Sequence, residues 1–233
     1  MGINWEHVYR HMEKIFPFHA FDSGTMCSLG EEVPVADFIA LLRLLGENNP
    51  KTILEIGSWT GSCTCLFGNY VKEYGGKVHS IDNFKGSPGS NQYKYTKIAR
   101  RRFFENIRSH GLEDTVVFHE GDSDRFRNLD MKFDMVFIDA DHRYSQIRKD
   151  IDNYLPKVNP GGIICGHDFQ SPKFDEKYIE QDFVNGVHHG VTKAVVESFN
   201  KVLLFTALEE GKQRLISSVW HFKTKREPCM VAL

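Results

Sequence analysis

The strongest constraint on this chain is a rhythm. From residue 52 onward, short runs rich in β-branched and apolar residues alternate with longer segments whose apolar residues recur at helical spacing. Residues 52–56, 77–82, 115–119, 133–138 and 163–165 read as strands. Residues 62–74, 92–110, 144–155 and 191–200 read as helices, punctuated by Gly75-Gly76, Gly111 and Pro156. Two further helices are expected ahead of the first strand, at 5–16 and 33–45, the second with Val35, Phe38, Ile39, Leu42 and Leu45 on one face. Strands joined by helical crossovers pair in parallel, and right-handed crossovers place helices on both faces of the sheet. The tail breaks the rhythm. Segments 202–208 and 217–222 are joined by a loop containing Glu210-Gly211, too short for a crossover helix, so they should pair antiparallel. The expectation is a single α/β domain over 1–233: N-terminal helices at 1–48, then a core at 49–233 with a mixed seven-stranded sheet ending in a hairpin. Segment 171–190 has no periodicity and reads as an insertion at the active site.

Charge narrows the function classes. The 29 Lys and Arg nearly cancel the 31 Asp and Glu, leaving a net charge of -2, so no overall field attracts a polyanion or an anionic membrane. There is no apolar run of the roughly 18 residues that a membrane helix needs, and residues 1–20 mix charge and aromatics where a secretory signal would be apolar. The five cysteines have no C-x-x-C spacing, which suggests free thiols in a reducing compartment. The expected setting is a cytoplasmic protein with a small-molecule partner, neither nucleic acid nor membrane, and a homodimer as the candidate assembly.

Open α/β sheets bind ligands at the carboxyl ends of their strands. The first such end is Glu55-Ile56-Gly57-Ser58-Trp59-Thr60-Gly61. It lacks the middle glycine that lets a backbone approach a pyrophosphate, and it has no Gly-Lys-Ser/Thr for a phosphate cradle. Glu55 would repel phosphate and favour a cationic or zwitterionic ligand. Asp82, ending the second strand, stands where an acid can accept both hydroxyls of a ribose. Together these describe a nucleoside ligand without a pyrophosphate; the bland alternative is a tight turn beside an incidental acid.

The series Leu54 to Ser62, with His79-Ser80-Ile81-Asp82, resembles the class I S-adenosylmethionine-dependent methyltransferases, a Rossmann-like fold. The resemblance extends over nearly the whole chain. It implies S-adenosyl-L-methionine as cofactor, held by Glu55, Gly57, Ser58, Gly61, Asp82, Asn83 and Asp139, with Asp122 and its neighbour Ser123 near the adenine. By fold analogy Asn83 and Phe84 frame the adenine. Asp122 could equally cap a short helix.

Every parallel strand also delivers an acid to the same edge: Glu55, Asp82, Glu120 or Asp122, Asp139 or Asp141, and Asp168. Carboxylates crowded at a low-dielectric rim require positive charge. The cofactor's sulfonium and ammonium supply part of it, and a divalent metal could supply the rest. Phe137 to Asp141 and Gly161 to Asp168 are similar to the metal-binding pair of catechol and caffeoyl-CoA O-methyltransferases. That resemblance implies Mg2+ or another divalent cation on Asp139, His167 and Asp168. The imidazole of His167 departs from the family's oxygen donors and points to a softer ion. Asp139 to Tyr144, Gly161 to Phe169 and Gly190 to Val195 also resemble macrocin and sugar O-methyltransferases.

The implied reaction is methyl transfer to a hydroxyl oxygen of a small molecule, with Asp139 and Asp168 positioning the acceptor. His142 is the candidate base, against a structural role capping the next helix or pairing with Asp141. Two alternatives stay open: a metal-assisted hydroxylase on the same fold, similar to cephalosporin hydroxylase, and a non-catalytic S-adenosylmethionine-binding subunit. Three features are set aside. Lys94, Lys97, Arg100 to Arg102 and Arg108 read as a solvated helix face, His188-His189 as an exposed turn, and Cys63 and Cys65 as packing residues.

Overall fold

The protein is described by a computed structural model covering residues 35–90, 92–199, 203–208 and 214–225; the expected helix at 5–16 lies outside them. Helix α1 (Val35–Asn48) precedes strand β1 (Thr52–Ile56). The β/α alternation then runs α2 (Ser62–Lys72), β2 (Lys77–Asp82), α3 (Thr96–Ser109), β3 (Val116–Glu120), β4 (Phe133–Ile138), α4 (Tyr144–Tyr154), β5 (Val158–Gly166) and α5 (His189–Ser198). Strands β6 (Leu203–Leu208) and β7 (Arg214–Lys223) close the chain.

These strands form one sheet in the order β3-β2-β1-β4-β5-β7-β6. Pairing is parallel from β3 to β5 and antiparallel for β5 with β7 and for β7 with β6. The mixed Rossmann-like sheet and its C-terminal antiparallel pair therefore match expectation. The chain steps outward from β1 through β2 to β3, then returns to lay β4 on the other side of β1. That reversal opens a crevice beyond the carboxyl ends of β1 and β4. Ile56 pairs with both Ile81 and Ile138, so Gly57, Asp82 and Asp139 emerge at one level.

Both faces are buried, which is why the strands read as continuous apolar runs rather than alternating ones. Ile53, Met135, Phe137 and Ile163 pack against α1 and α2, while Leu54, Ile56, Val136, Ile138 and Ile164 pack against α4 and α5. Each large side chain so buried contributes about 1.5–3 kcal/mol of hydrophobic stabilisation. Cys63, Cys65 and Cys165 are buried in these layers; burial pushes the Cys65 thiol up to about 12, which leaves it inert.

Most boundaries differ from the sequence reading by three residues or fewer, and two starts differ by more. The segment expected as helix from 92 begins as a 3-10 turn (Gln92–Tyr95), with the α-helix starting at Thr96. Strand β5 begins at Val158 rather than 163 and runs through Pro160-Gly161-Gly162, with a register shift against β4. The glycines make that irregularity possible: Gly161 has φ +80, and a Cβ on Gly162 would lie 2.6 Å from the Asp134 carbonyl oxygen. Among the described residues no helix is long and apolar enough to cross a membrane.

Candidate active site

A cavity of about 900 Å³ occupies the crevice, walled by the ends of β1, β2, β4 and β5 and by part of segment 171–190. Its two ends are built differently.

At the β1–β2 end the backbone sets the shape. Gly57 has φ +88, and a Cβ there would sit 1.9 Å from the carbonyl oxygen of Asp139, so only glycine lets the turn pass the end of β4. Gly61 has φ +87 and lies against Phe103. Asp82 clamps the loop: Oδ2 accepts the Ser58 and Trp59 N–H groups at 2.7 Å each, and Oδ1 accepts the Phe84 N–H at 2.6 Å. Both oxygens of Asp82 are thus engaged by backbone N–H groups, two on Oδ2 and one on Oδ1. Phe84 is buried against Phe103 and Phe118 and is not among the residues that line the cavity. Asn83 reaches across to β3, donating to Asp122 Oδ1 at 2.6 Å.

Asp122 stands before the short 3-10 turn Ser123–Phe126, yet its side chain makes no capping bond. The Ser123 hydroxyl is turned to Asp150 Oδ1 at 2.5 Å. Asp150 itself is fully buried, Oδ2 has no partner, and burial pushes its carboxyl up to about 7. Glu55 is likewise fully buried. Its Oε2 accepts from the Thr64 and Ser80 hydroxyls, Oε1 has no partner, and burial raises the carboxyl to about 8. An unsatisfied buried acceptor in the cavity wall is what an ammonium group would complete.

At the β4–β5 end the wall is ionic. Asp139 follows β4 and is fixed by its own N–H, which donates to the Ile56 carbonyl at 2.8 Å. Asp168, buried at φ +67 after β5, meets three imidazoles: His142 Nε2 at 3.0 Å, His167 Nδ1 at 3.2 Å and His188 Nδ1 at 3.3 Å. His142 Nδ1 lies 2.6 Å from Asp182 Oδ1, and its Nε2 lies 3.7 Å from Asp139. Burial disfavours charge on His142, but the Asp168, Asp139 and Asp182 carboxylates outweigh it and hold the imidazole well above its ordinary range. His167 is raised in the same way by Asp168 and Asp139, while burial lowers His188. Against its own burial, Asp168 is held well below the usual carboxylate range by His167 and His142.

Several contacts differ from expectation. His142 faces carboxylates through both nitrogens, which favours its protonated form. It does not pair with Asp141, whose carboxylate goes to Arg143 at 2.6 Å. His167 turns Nε2 toward Asp37 of α1 at 3.1 Å and the Ser218 hydroxyl at 3.1 Å. Among the described residues, the ligating atoms that gather within 4.8 Å are those of Asp139, His142 and Asp168, and those of His142, Asp182 and His188; His167 belongs to neither group. The two histidines read as an exposed turn are covered. His188 packs its ring on His142 and Phe183, and the buried His189 accepts the Asp175 N–H at 3.0 Å.

Segment 171–190 is tied down by contacts distant in sequence. The Ser87 hydroxyl donates to Asp182 at 2.6 Å, the Ser145 hydroxyl to Glu180 at 2.7 Å, and the Tyr144 N–H to the Ile179 carbonyl at 2.8 Å. Gly190 permits this closeness, since a Cβ there would lie 2.4 Å from both the His142 oxygen and the Tyr144 nitrogen.

Residues 54–169, which include Glu55, Asp82, Asp139, His142 and Asp168 but not Asp182 or His188, match the sequence profile of the family described as "Methyltransferase domain". The chain carries a methyltransferase domain. Solved structures share its fold. An O-methyltransferase from Bacillus cereus in complex with S-adenosylhomocysteine aligns with TM-score 0.59 and 18% identity over 93% of this chain and 91% of that one. A methyltransferase from Podospora anserina bound to S-adenosylhomocysteine aligns with TM-score 0.62 and 13% identity, covering 97% and 98%. The O-methyltransferase TomG from Streptomyces achromogenes, involved in tomaymycin synthesis and solved with S-adenosylmethionine, aligns with TM-score 0.57 and 16% identity, covering 93% and 88%. No curated protein sequence matches the chain.

Within this methyltransferase domain, sequence reasoning located the strand-end acids and the glycine turn. It missed Asp182, took His188 for an exposed turn, and missed Asp37 and Asp150. The only signal for the first two was the density of His and Asp from 167 to 189. The basic face of α3 is as expected, exposed and paired on the surface, with Arg100 to Glu120 at 3.0 Å and Arg101 to Glu105 at 3.6 Å.

Proposed function

We propose that the domain transfers the methyl group of S-adenosyl-L-methionine to a hydroxyl oxygen of a small molecule. One observation carries this reading: a single cavity joins a glycine turn with a buried, unpartnered Glu55 oxygen to an end where Asp139, Asp168 and His142 converge. The structural neighbours named with S-adenosylmethionine or its product support it.

In this reading Glu55 takes the cofactor's ammonium. Gly57 and Gly61 shape the turn that Ser58 lines, and Asp82 Oδ1 takes one ribose hydroxyl. Asn83, Asp122 and Ser123 edge the adenine. Asp139 and Asp168 orient the acceptor so that its oxygen is in line with the sulfonium methyl. The acceptor oxygen forms the new bond to carbon, the carbon–sulfur bond breaks, and sulfur keeps the electron pair. Alignment is the main catalytic contribution. The acceptor's proton goes to His142 once that imidazole has lost its own proton; Asp168 and Asp182 then stabilise the cation that forms.

The donor set Asp139, His142 and Asp168 fits a divalent ion, with His167 orienting Asp168 from behind. Such an ion, when bound, lowers the pKa of an acceptor hydroxyl. The wider reading is of one cytoplasmic domain with 171–190 as its lid, a small-molecule acceptor, no nucleic-acid or membrane partner, and a homodimer as the assembly.

Calorimetry of S-adenosylmethionine and S-adenosylhomocysteine on the full chain tests the cofactor. Release of S-adenosylhomocysteine over a panel of phenols and glycosides tests the reaction. Absence of binding by either nucleoside would sink the reading. A hydroxylase on the same fold draws its support from the set of two imidazoles and one carboxylate, His142, His188 and Asp182, a combination that non-haem iron oxygenases use. Iron-dependent oxygen uptake without S-adenosylhomocysteine release would select it.

A further inference from the structure

Two groups of ligating side chains share His142. One lies on the sheet, with Asp139 and Asp168. The other joins His142 to Asp182 and His188 of segment 171–190. In this second group the His142 and His188 rings are 4.4 Å apart, centroid to centroid, at 60°, and Asp182 Oδ1 is 2.6 Å from His142 Nδ1. The side chains are 13%, 13% and 19% exposed for His142, His188 and Asp182, and all three line the cavity. Gln170 bonds to His188 through side chain and backbone, Nε2 lying 2.9 Å from Nδ1 and Oε1 accepting the His188 N–H at 3.1 Å. The Ser87 hydroxyl holds Asp182 from the opposite side. Arg143, the adjacent cation, is engaged by Asp141.

The donor chemistry discriminates between ions. Mg2+ takes oxygen donors in strict octahedral geometry and sheds water reluctantly. Imidazole nitrogens favour Zn2+, Co2+ and their neighbours in the first transition row. We propose that His142, Asp182 and His188 form a binding site for a divalent transition ion in preference to Mg2+, and that the ion fastens segment 171–190 over the cavity. Two of the three ligands come from that segment and the third from the turn after β4, so one bound ion joins the lid to the sheet. The proposal rests on the methyltransferase reading only for the cavity's identity. Its test needs neither S-adenosylmethionine nor acceptor, so its failure would leave methyl transfer untouched.

The experiment is a Co2+ titration of the full chain, followed by visible d–d absorption, with Zn2+ and Mg2+ as competitors. The expected result is saturable absorption that Zn2+ abolishes and that Mg2+ at about a hundredfold excess leaves unchanged. H188Q and D182N should each weaken Co2+ binding by about tenfold or more, while D139N weakens it by less than about threefold on the same ligand logic. Co2+ should also slow proteolysis within 171–190 in the parent chain and not in H188Q. Displacement by equimolar Mg2+, or no Co2+ binding at all, would overturn the proposal. So would parent-like binding by H188Q and D182N alongside its loss in D139N, which would place the ion on the sheet group alone. Where a variant fails to fold, the Mg2+ competition on the parent chain still decides the ion preference, and Co2+-dependent protection of 171–190 from proteolysis in the parent still decides the place: no protection would overturn it.

Discussion

At the β1–β2 end of the cavity, Glu55 and Asp82 are met by hydroxyls and backbone N–H groups; at the β4–β5 end, Asp139, Asp168 and Asp182 are met by imidazoles. Neutral donors leave the first pair open to protonation, and burial raises both carboxyls. Imidazole partners do the reverse, holding the Asp168 carboxyl well below its usual range and raising His142 and His167, while burial lowers His188. One end therefore waits for an external cation, while the other carries counter-charges that must leave before it can act as a base or take a metal. A rim that looks uniformly acidic in sequence is two sites with opposite proton demands.

The contrast breaks most severely where the two ends touch. Gly57→Ala drives a Cβ into the Asp139 carbonyl at a positive φ, and we expect a loss of roughly 4 kcal/mol or more in urea unfolding, with loss of cofactor binding. Gly89 has a similar φ of +90 with open space around it, so Gly89→Ala should cost only about 1 kcal/mol. Equal costs would show that strain, not the shared wall, governs Gly57.

Asp168→Asn removes the anion common to three imidazoles. A buried pair broken on one side typically loses about 3–5 kcal/mol. His142 and His167, raised in the folded state, contribute stability that is full below their unfolded pKa and is lost as pH rises through the folded values. Asp168, depressed, contributes above its unfolded pKa of 3.8 and loses that contribution as pH falls through its lower folded value. The parent should thus be steadier in mildly acid than in alkaline solution, and D168N should flatten that slope. Methyl transfer should fall by about a hundredfold, and the alkaline rise of kcat/KM, set by deprotonation of His142, should move toward lower pH. An unmoved profile would remove His142 from the role of base.

Glu55 sharpens the comparison from the other side. Its folded pKa of about 8 against an ordinary 4.5 means that the cofactor-free protein loses stability as pH rises across that interval, and Glu55→Gln should abolish the loss. Pairing with an ammonium restores the carboxylate, so cofactor binding near neutral pH should release a proton. Calorimetry in buffers of different ionisation enthalpy reads that proton. E55Q should release none and bind S-adenosylmethionine about tenfold more weakly, a loss of about 1.4 kcal/mol; unchanged proton release would disprove the pairing.

The smallest effect is expected at Asp150, raised to about 7 from 3.8 with one oxygen unpartnered. Asp150→Asn keeps an acceptor for Ser123 and should stabilise the protein above pH 7 by about 1 kcal/mol, the cost of leaving a buried charge underpaired. No gain in thermal unfolding at pH 8 would mean that cavity water already solvates Asp150.

Much of the fold was legible in the sequence because its causes are local. Three strands, at 52–56, 77–82 and 133–138, have the boundaries read from their apolar runs. The glycine turn is explained by left-handed backbone angles at Gly57 and Gly61. The start of β5 was missed because its glycines, which locally signal a loop, here serve an irregularity within a strand.

The sequence by itself determined that acids stand at the ends of parallel strands, because strand period and turn chemistry act over a few residues. Only the tertiary structure decided what each acid meets. Asp182 reaches His142 across 40 residues, and Asp37 of α1 accepts the Ser218 N–H across 181. Such partners depend on sheet order and on how segment 171–190 lies over the rim. Charge and protonation in a buried site are set by neighbours in space, and the spacing of residues along the chain does not encode them.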